Sequence, residues 1–256
     1  MNNKVIFTAL IGKYDHLPQP KVYDKSFDYI CFTKNPQKNK LGIWEIKNID
    51  YYNLDKTRIA RYIKTHPETL LKDYKYTVWI DSNIVINGNL LYERVNKLIS
   101  QKKDFAAIKH PTRDCIYIEA FEVLKYAKDS FSKVIEQVKF LKKEKYPQHN
   151  GLCETNLLYR NINSKKNVQL DNYWWKIIDK YSKRDQMAFN YALWKLNIKY
   201  DDLLGDGITT RNNKNFESEF HLNDMKIFRK VKVKIWYLFY SYKFLLPIYK
   251  KIFKLN

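Results

Sequence analysis

Glycine and proline are scarce in this 256-residue chain, at 6 and 7, and no stretch of it reads as a linker, a low-complexity segment or an internal repeat. Cysteine is scarcer still. Cys31, Cys115 and Cys153 are odd in number and far apart, which rules out a disulfide framework or a zinc-ligand spacing and fits a reducing cytosol. No small-residue cleavage site follows the short apolar run Val5–Ile11, so that run reads as a first strand and not as a signal peptide. Acidic residues are missing altogether between Met225 and Asn256, a stretch that holds nine Lys or Arg. A bilayer crossing needs about 20 apolar residues in succession, and Lys243 and Pro247 break the run before that length is reached.

What is present argues for a folded α/β protein. Apolar residues make up 45% of the chain, which excludes disorder, and the aromatic share of 16% includes 21 Tyr. This is enough for one large domain with an appendage, and the change in charge sets the boundary, with a domain over 1–224 and a basic aromatic tail over 225–256. Of the net charge of +20, nine positive charges lie in the tail, which leaves +11 on the domain. Such a balance suggests an acidic partner: a nucleotide, a phosphorylated lipid or a nucleic acid.

Strand and helix patterns alternate along the domain. Val5–Leu10, Phe27–Phe32 and Trp44–Ile49 read as strands, and Asp55–Thr65 as a helix with Asn53 or Asp55 at its N-cap. Tyr76–Ile80 is a run of β-branched and aromatic residues that stops at Asp81-Ser82-Asn83. Leu90–Lys102, Ile118–Ala127, Phe131–Lys145 and Leu170–Tyr181 read as helices, and so does Arg184–Lys195 with Ser182 as its cap. Phe105–Ile108 and Gly151–Arg160 read as strands. The alternation predicts a mostly parallel central sheet.

Open α/β sheets bind ligands beyond the carboxyl ends of their strands, which is where Asp81 falls. Asp81 and Asn83, two positions apart, can both reach one hard cation, with a nucleotide diphosphate supplying further oxygens. On the helix before them Arg58, Arg61 and Lys64 recur every three residues, a cationic stripe suited to clamping that diphosphate. Further along, His110, Arg113 and Glu119 cluster after one strand and are the candidates for a sugar or acceptor pocket, while Glu154 on another strand is a catalytic candidate.

Seven segments in order, FTALIGKYD, DYICFT, TRIARYIKTHP, YTVWIDSNI, KHPTRDCIYIEA, GLCETN and SKRDQMAFNYALWK, resemble a glycosyltransferase-like family. That family includes plant pectin and mucilage glycosyltransferases and has bacterial members in surface-polysaccharide loci. The likeness covers about Val5 to Lys195. More distantly the chain is similar to retaining glycosyltransferase family 8, whose members share a strand ending in an Asp-x-Asp triplet and a later Asp-Gln-x-x-x-Asn helix. Here that helix would be Asp185-Gln186-Met187-Ala188-Phe189-Asn190. The resemblance implies a GT-A-like nucleotide-sugar-binding domain that uses Mn²⁺ or Mg²⁺. It implies Asp81 and Ser82 at the metal-bound diphosphate, Asn83 in place of the usual second aspartate, and His221 as a late metal ligand. It also implies Thr8, Ala9, Tyr14 and Arg58 beside the donor nucleotide, with Asp185 and Gln186 facing the transferred sugar.

On this reading the chain moves a sugar from a UDP-linked donor to a surface-polysaccharide or lipopolysaccharide acceptor, with retention. Breaking the anomeric bond releases a nucleoside diphosphate, which calls for positive charge from the metal and from Arg58, Arg61 or Lys64. The cationic sugar calls for a nearby oxygen, from Asp185, Gln186 or Glu154. Drawn as a helix from Ile235, the tail gathers Lys243, Lys250, Lys251 and Lys254 on one arc and apolar residues on the other, a pattern that lies on an anionic membrane. The expected location is therefore cytoplasmic, peripheral on the inner face of the plasma membrane. Two other classes compete. Charge and aromatics also suit a non-catalytic nucleic-acid-binding protein, which would bind oligonucleotides with steep salt dependence. Asn83 would suit a degenerate transferase fold kept as a binding subunit. Nucleic acid is not the expected partner.

Overall fold

The computed structural model describes residues 2–12 and 16–219, so the expectations that rest on Tyr14, His221 and the 225–256 tail lie outside the described residues. In chain order come β1 (Lys4–Ala9), β2 (Asp28–Thr33), β3 (Lys40–Leu41), β4 (Trp44–Asn48), α1 (Lys56–Thr65), α2 (Pro67–Leu70) and β5 (Tyr76–Ile80). Then follow β6 (Ile84–Ile86), α3 (Leu90–Ser100), β7 (Phe105–Lys109), α4 (Ile116–Lys125), α5 (Phe131–Lys143) and β8 (Cys153–Asn161). The described residues end with α6 (Lys165–Lys180), α7 (Gln186–Lys195), β9 (Asp201–Asp202) and β10 (Phe216–Ser218).

Eight strands form one sheet in the order β3-β4-β2-β1-β5-β8-β7-β9. The run β4-β2-β1-β5 is parallel throughout, and β7 and β9 are parallel to each other. This is the expected α/β, GT-A-like arrangement with a mostly parallel central sheet. Side chains alternate across it, since Val5, Phe7 and Trp79 point to one core and Ile6, Val78 and Ile80 to the other. The first core is covered by α1 and α4 to α7, through residues such as Ile63, Ile116, Val134, Trp174 and Phe189. The second is covered by α3 through Leu91, Val95 and Leu98. Both faces are thus buried, which is why the strands read as continuous apolar runs.

β3 lies antiparallel to β4 at one edge, and inside the sheet β8 departs from the parallel rule and builds the site. β8 runs antiparallel to both β5 and β7, so its first residues reach the edge where β1, β5 and β7 end. There the pairing jumps from Ala107–Leu158 to Ile108–Glu154, an irregularity that takes Thr155 out of the ladder with β7. The backbone N–H of Asp81 donates to the carbonyl of Asn156 (2.9 Å) and that of His110 to Leu152 (2.8 Å), which ties three strand ends together.

Helix α7 begins at Gln186 and not at Arg184, with Asp185 in the N-cap position and making no side-chain cap. Ser182 does not cap it. Its hydroxyl donates to Asp129 Oδ2 (2.7 Å) and accepts from the Arg184 N–H (3.2 Å), which leaves the Asp185 side chain free to turn inward. The antiparallel pair β6–β10 was not visible in the pattern, because three-residue strands are too short to show a period.

Candidate active site at the carboxyl edge of the sheet

A cavity of about 260 Å³ opens where β1 and β5 meet the start of α1. Its wall includes Ala9, Lys56, Arg61, Asp81, Ser82 and Asn83. Five of the expected site residues therefore share one concavity: Ala9, Arg61, Asp81, Ser82 and Asn83. Thr8, one position earlier on β1, is fully buried, and its hydroxyl has no hydrogen-bond partner among the described residues.

The cationic stripe divides into three roles. Arg58 is not at the cavity. Its guanidinium donates to the carbonyls of Ile178, Asp179 (3.1 Å) and Tyr181 (2.7 Å), at the carboxyl end of α6. Those carbonyls have no partner within their own helix and carry partial negative charge, so they attract a cation without any ligand being present. Arg61 does reach the cavity, 12% exposed, with its Nε 3.2 Å from Asp185 Oδ1. Lys64 is wholly buried, its Nζ lying 2.5 Å from Asp185 Oδ2 and 3.5 Å from Asp81 Oδ1. It also lies 5.2 Å from the Trp79 ring centroid and 5.8 Å from that of Trp174. Lys64 is therefore an internal counter-ion and not an open phosphate clamp.

Asp185, expected to face the sugar, is only 2% exposed. Besides Lys64 it accepts from Thr155 Oγ1 (2.8 Å), and its own carbonyl takes the Trp174 Nε1–H (2.9 Å). Burial alone would raise the Asp185 carboxyl, but Arg61, Lys64 and Arg184 more than offset it and hold the group below the usual carboxylate range. Burial pulls the Lys64 ammonium down, with Asp185 and Asp81 opposing it. Asp81 remains 31% exposed while accepting from Trp79 Nε1 (2.8 Å). Asp185 thus reaches the cavity through the cations it fixes.

The other half of the edge comes from β7, β8 and the loop before β10. Glu154 is buried and 3.1 Å from Arg211 Nη2, and burial pushes its carboxyl up. Glu119 on α4 pairs with Arg113 Nη2 at 2.8 Å. His110 Nδ1 accepts from the backbone N–H groups of Thr112 (3.2 Å) and Arg113 (3.0 Å). Gln186 is half-buried and its Nε2 has no hydrogen-bond partner among the described residues; nor has His110 Nε2. Buried polar atoms are normally partnered, so such atoms mark places where a polar ligand fits.

Three participants escaped the sequence reading. Thr155 stands within the GLCETN segment, and only the irregular β7–β8 pairing turns it toward Asp185. Arg184 opens the Asp-Gln segment, where the sequence pattern marks it only as a helix residue. Arg211 lies in a loop with no motif around it, and nothing local announces its pairing with Glu154. Among the described residues no three His, Cys, Asp or Glu side chains group as a metal site. Asp81 and Asn83 do present two hard oxygen donors on one wall, which suits a cation whose remaining ligands come from a diphosphate.

No curated protein matches the sequence. Among solved structures the chain is similar to core-mannan synthase A from Aspergillus fumigatus in its Mn/GDP form, at 7% identity and a TM-score of 0.45, over 75% of this chain and 70% of that one. It is similar to the mannosyltransferase Ktr4p from S. cerevisiae at 13% identity and a TM-score of 0.44, over 75% and 65%. Mouse xyloside xylosyltransferase 1 gives 8% identity and a TM-score of 0.45, over 79% and 84%. The profile of the TOD1/MUCI70, glycosyltransferase-like domain matches residues 2–205, a range that takes in every element from β1 to β9 and both acidic anchors of the site, and the chain belongs to that family.

Proposed function

We propose that this domain transfers a glycosyl unit from a UDP-linked sugar to a cell-surface polysaccharide or lipopolysaccharide acceptor, with retention at the anomeric carbon. The observation that carries it is the buried Lys64 ammonium joining Asp81 at the end of β5 to Asp185 at the start of α7, beside a cavity walled by Arg61. A departing nucleoside diphosphate is best stabilised by cationic charge already in place, and Asp185 holds Arg61 in that position before any substrate arrives. Asp81 and Asn83 would hold Mn²⁺ or Mg²⁺, which when bound neutralises the leaving phosphates. Gln186, whose Nε2 lacks a protein partner among the described residues, and Glu154, paired with Arg211, would take hydrogen bonds with the sugar and the incoming hydroxyl. The retaining outcome draws on the likeness to family 8, and front-face attack needs no protein nucleophile.

Nucleotide sugars screened with and without Mn²⁺ test the reading. At a hundredfold excess over Kd a bound donor adds about 2.7 kcal/mol and should raise Tm by roughly 5–10 °C. If no nucleotide sugar moves Tm while oligonucleotides do, the nucleic-acid reading replaces this one.

We further propose that residues 225–256 hold the enzyme on the inner face of the plasma membrane, on the strength of nine basic residues and no acid. Full-length protein should bind anionic vesicles less as salt rises, without release being complete. Equal binding to neutral and anionic vesicles would remove the electrostatic anchor.

A further inference from the structure

We propose that the half of the site built from the ends of β7 and β8 and the loop before β10 binds an acidic group, phosphate or carboxylate, carried by the acceptor. The proposal rests on the glycosyl-transfer reading and adds the acceptor's chemical class to it.

It starts from His110. The ring is 3% exposed, and its Nδ1 already accepts two backbone N–H groups. A neutral ring in that setting keeps its proton on Nε2. Burial, and after it the charges of Arg113, Arg211 and Lys128, lower the His110 pKa to about 4, so the ring is neutral at ordinary pH. Nε2–H is thus a buried donor with no partner among the described residues. Leaving such a donor unpaired costs its desolvation, which an incoming acceptor atom would recover.

The charge around it has one sign in excess. Arg113 and Arg211 pair with Glu119 and Glu154, at 2.8 and 3.1 Å. Lys128 and Arg184 add two cations, and no ion pair within 4.0 Å engages Arg184 among the described residues. Burial and then Arg184 pull the Lys128 ammonium down against the opposing charge of Glu119, with Arg113 and Arg211 adding to the lowering, so cations outweigh the one carboxylate there. The Nε atoms of Arg113 and Arg184 lack hydrogen-bond partners too. Asp81 and Asp185 cannot balance this excess, because Lys64 and Arg61 already neutralise them. The diphosphate has its own place at the Arg61–Asp81 cavity, so these surplus donors await a second anion. Glu154, on β8 and paired with Arg211, would then take the acceptor hydroxyl while the acceptor's acidic group lies against the other guanidinium groups.

The test uses the full-length protein with Mn²⁺ and saturating UDP, so that the donor site is filled. Glucose 6-phosphate and glucuronate should each raise Tm, and glucose should not. Lys128→Gln should weaken both acidic sugars at least fivefold, and Lys128→Arg should restore them. Equal response to glucose, or affinity untouched by Lys128→Gln, overturns the proposal. Loss of acidic-sugar binding once UDP is added means that the diphosphate site was being filled, and overturns it too. A separate arm compares UDP-glucuronate with UDP-glucose. If Lys128→Gln weakens UDP-glucuronate selectively, the acidic group belongs to the donor sugar and the acceptor assignment fails. Failure of UDP itself to bind sinks the transferase reading, and the acidic-sugar response without UDP is scored independently of it.

Discussion

Asp185→Asn is expected to lower Tm by roughly 10 °C and to reduce turnover severely. The amide keeps the shape of the side chain but leaves the fully buried Lys64 ammonium with Asp81, 3.5 Å away, as its remaining carboxylate. Removing one partner of a buried ion pair costs about 3–5 kcal/mol, because the other charge stays desolvated. In a domain of this size each kcal/mol moves Tm by about 2–4 °C. Turnover falls for a second reason, since Arg61 loses the carboxylate that fixes it at the cavity wall. The double variant Lys64→Met/Asp185→Leu separates the two effects: it should regain most of the stability and none of the turnover. Acid adds a check of sign. A carboxyl depressed in the folded state contributes stability above its unfolded pKa of about 4, and that contribution is lost as pH falls toward the folded value. Wild-type protein should therefore lose stability in that interval, and Asp185→Asn should lose less. Unfolding curves for the two proteins that fall in parallel through that range would show that the pair contributes nothing.

Asp81→Ala should lower turnover by about a hundredfold or more, near 3 kcal/mol of transition-state stabilisation, with little change in Tm. The small effect on stability follows from its 31% exposure and from Lys64 keeping the closer Asp185. The large effect on turnover follows from removing the one carboxylate on the cavity wall that can hold a divalent cation. Stimulation by Mn²⁺ should vanish with it, and nucleotide affinity measured in Mn²⁺ should drop. Asn83→Ala should cost about tenfold less, as a neutral oxygen contributes less to the ion. A folded Asp81→Ala enzyme with near-normal turnover would take Asp81 out of the site.

The sequence by itself determined the elements and the edge they share. Tyr76–Ile80 had to be a buried strand because five β-branched or aromatic residues in a row suit nothing else so well, and Asp81 had to lie just beyond its end. Helical spacing put Arg58, Arg61 and Lys64 on one α1 face, since positions three apart are neighbours on any helix. Only the tertiary structure decided what each of them meets. Arg58 turns to the end of α6, Arg61 to the cavity, and Lys64 to a carboxylate 121 positions away. The direction of β8 was likewise beyond local pattern, because a strand alternates in the same way whether its neighbours run with it or against it. That direction brings Glu154 and Thr155 to the carboxyl edge, and with them the Asp185 pocket and the surplus of positive charge beside His110. Periodicity belongs to residues close in the chain, whereas the charges that define this site are paired across it, by a sheet that only the folded chain assembles.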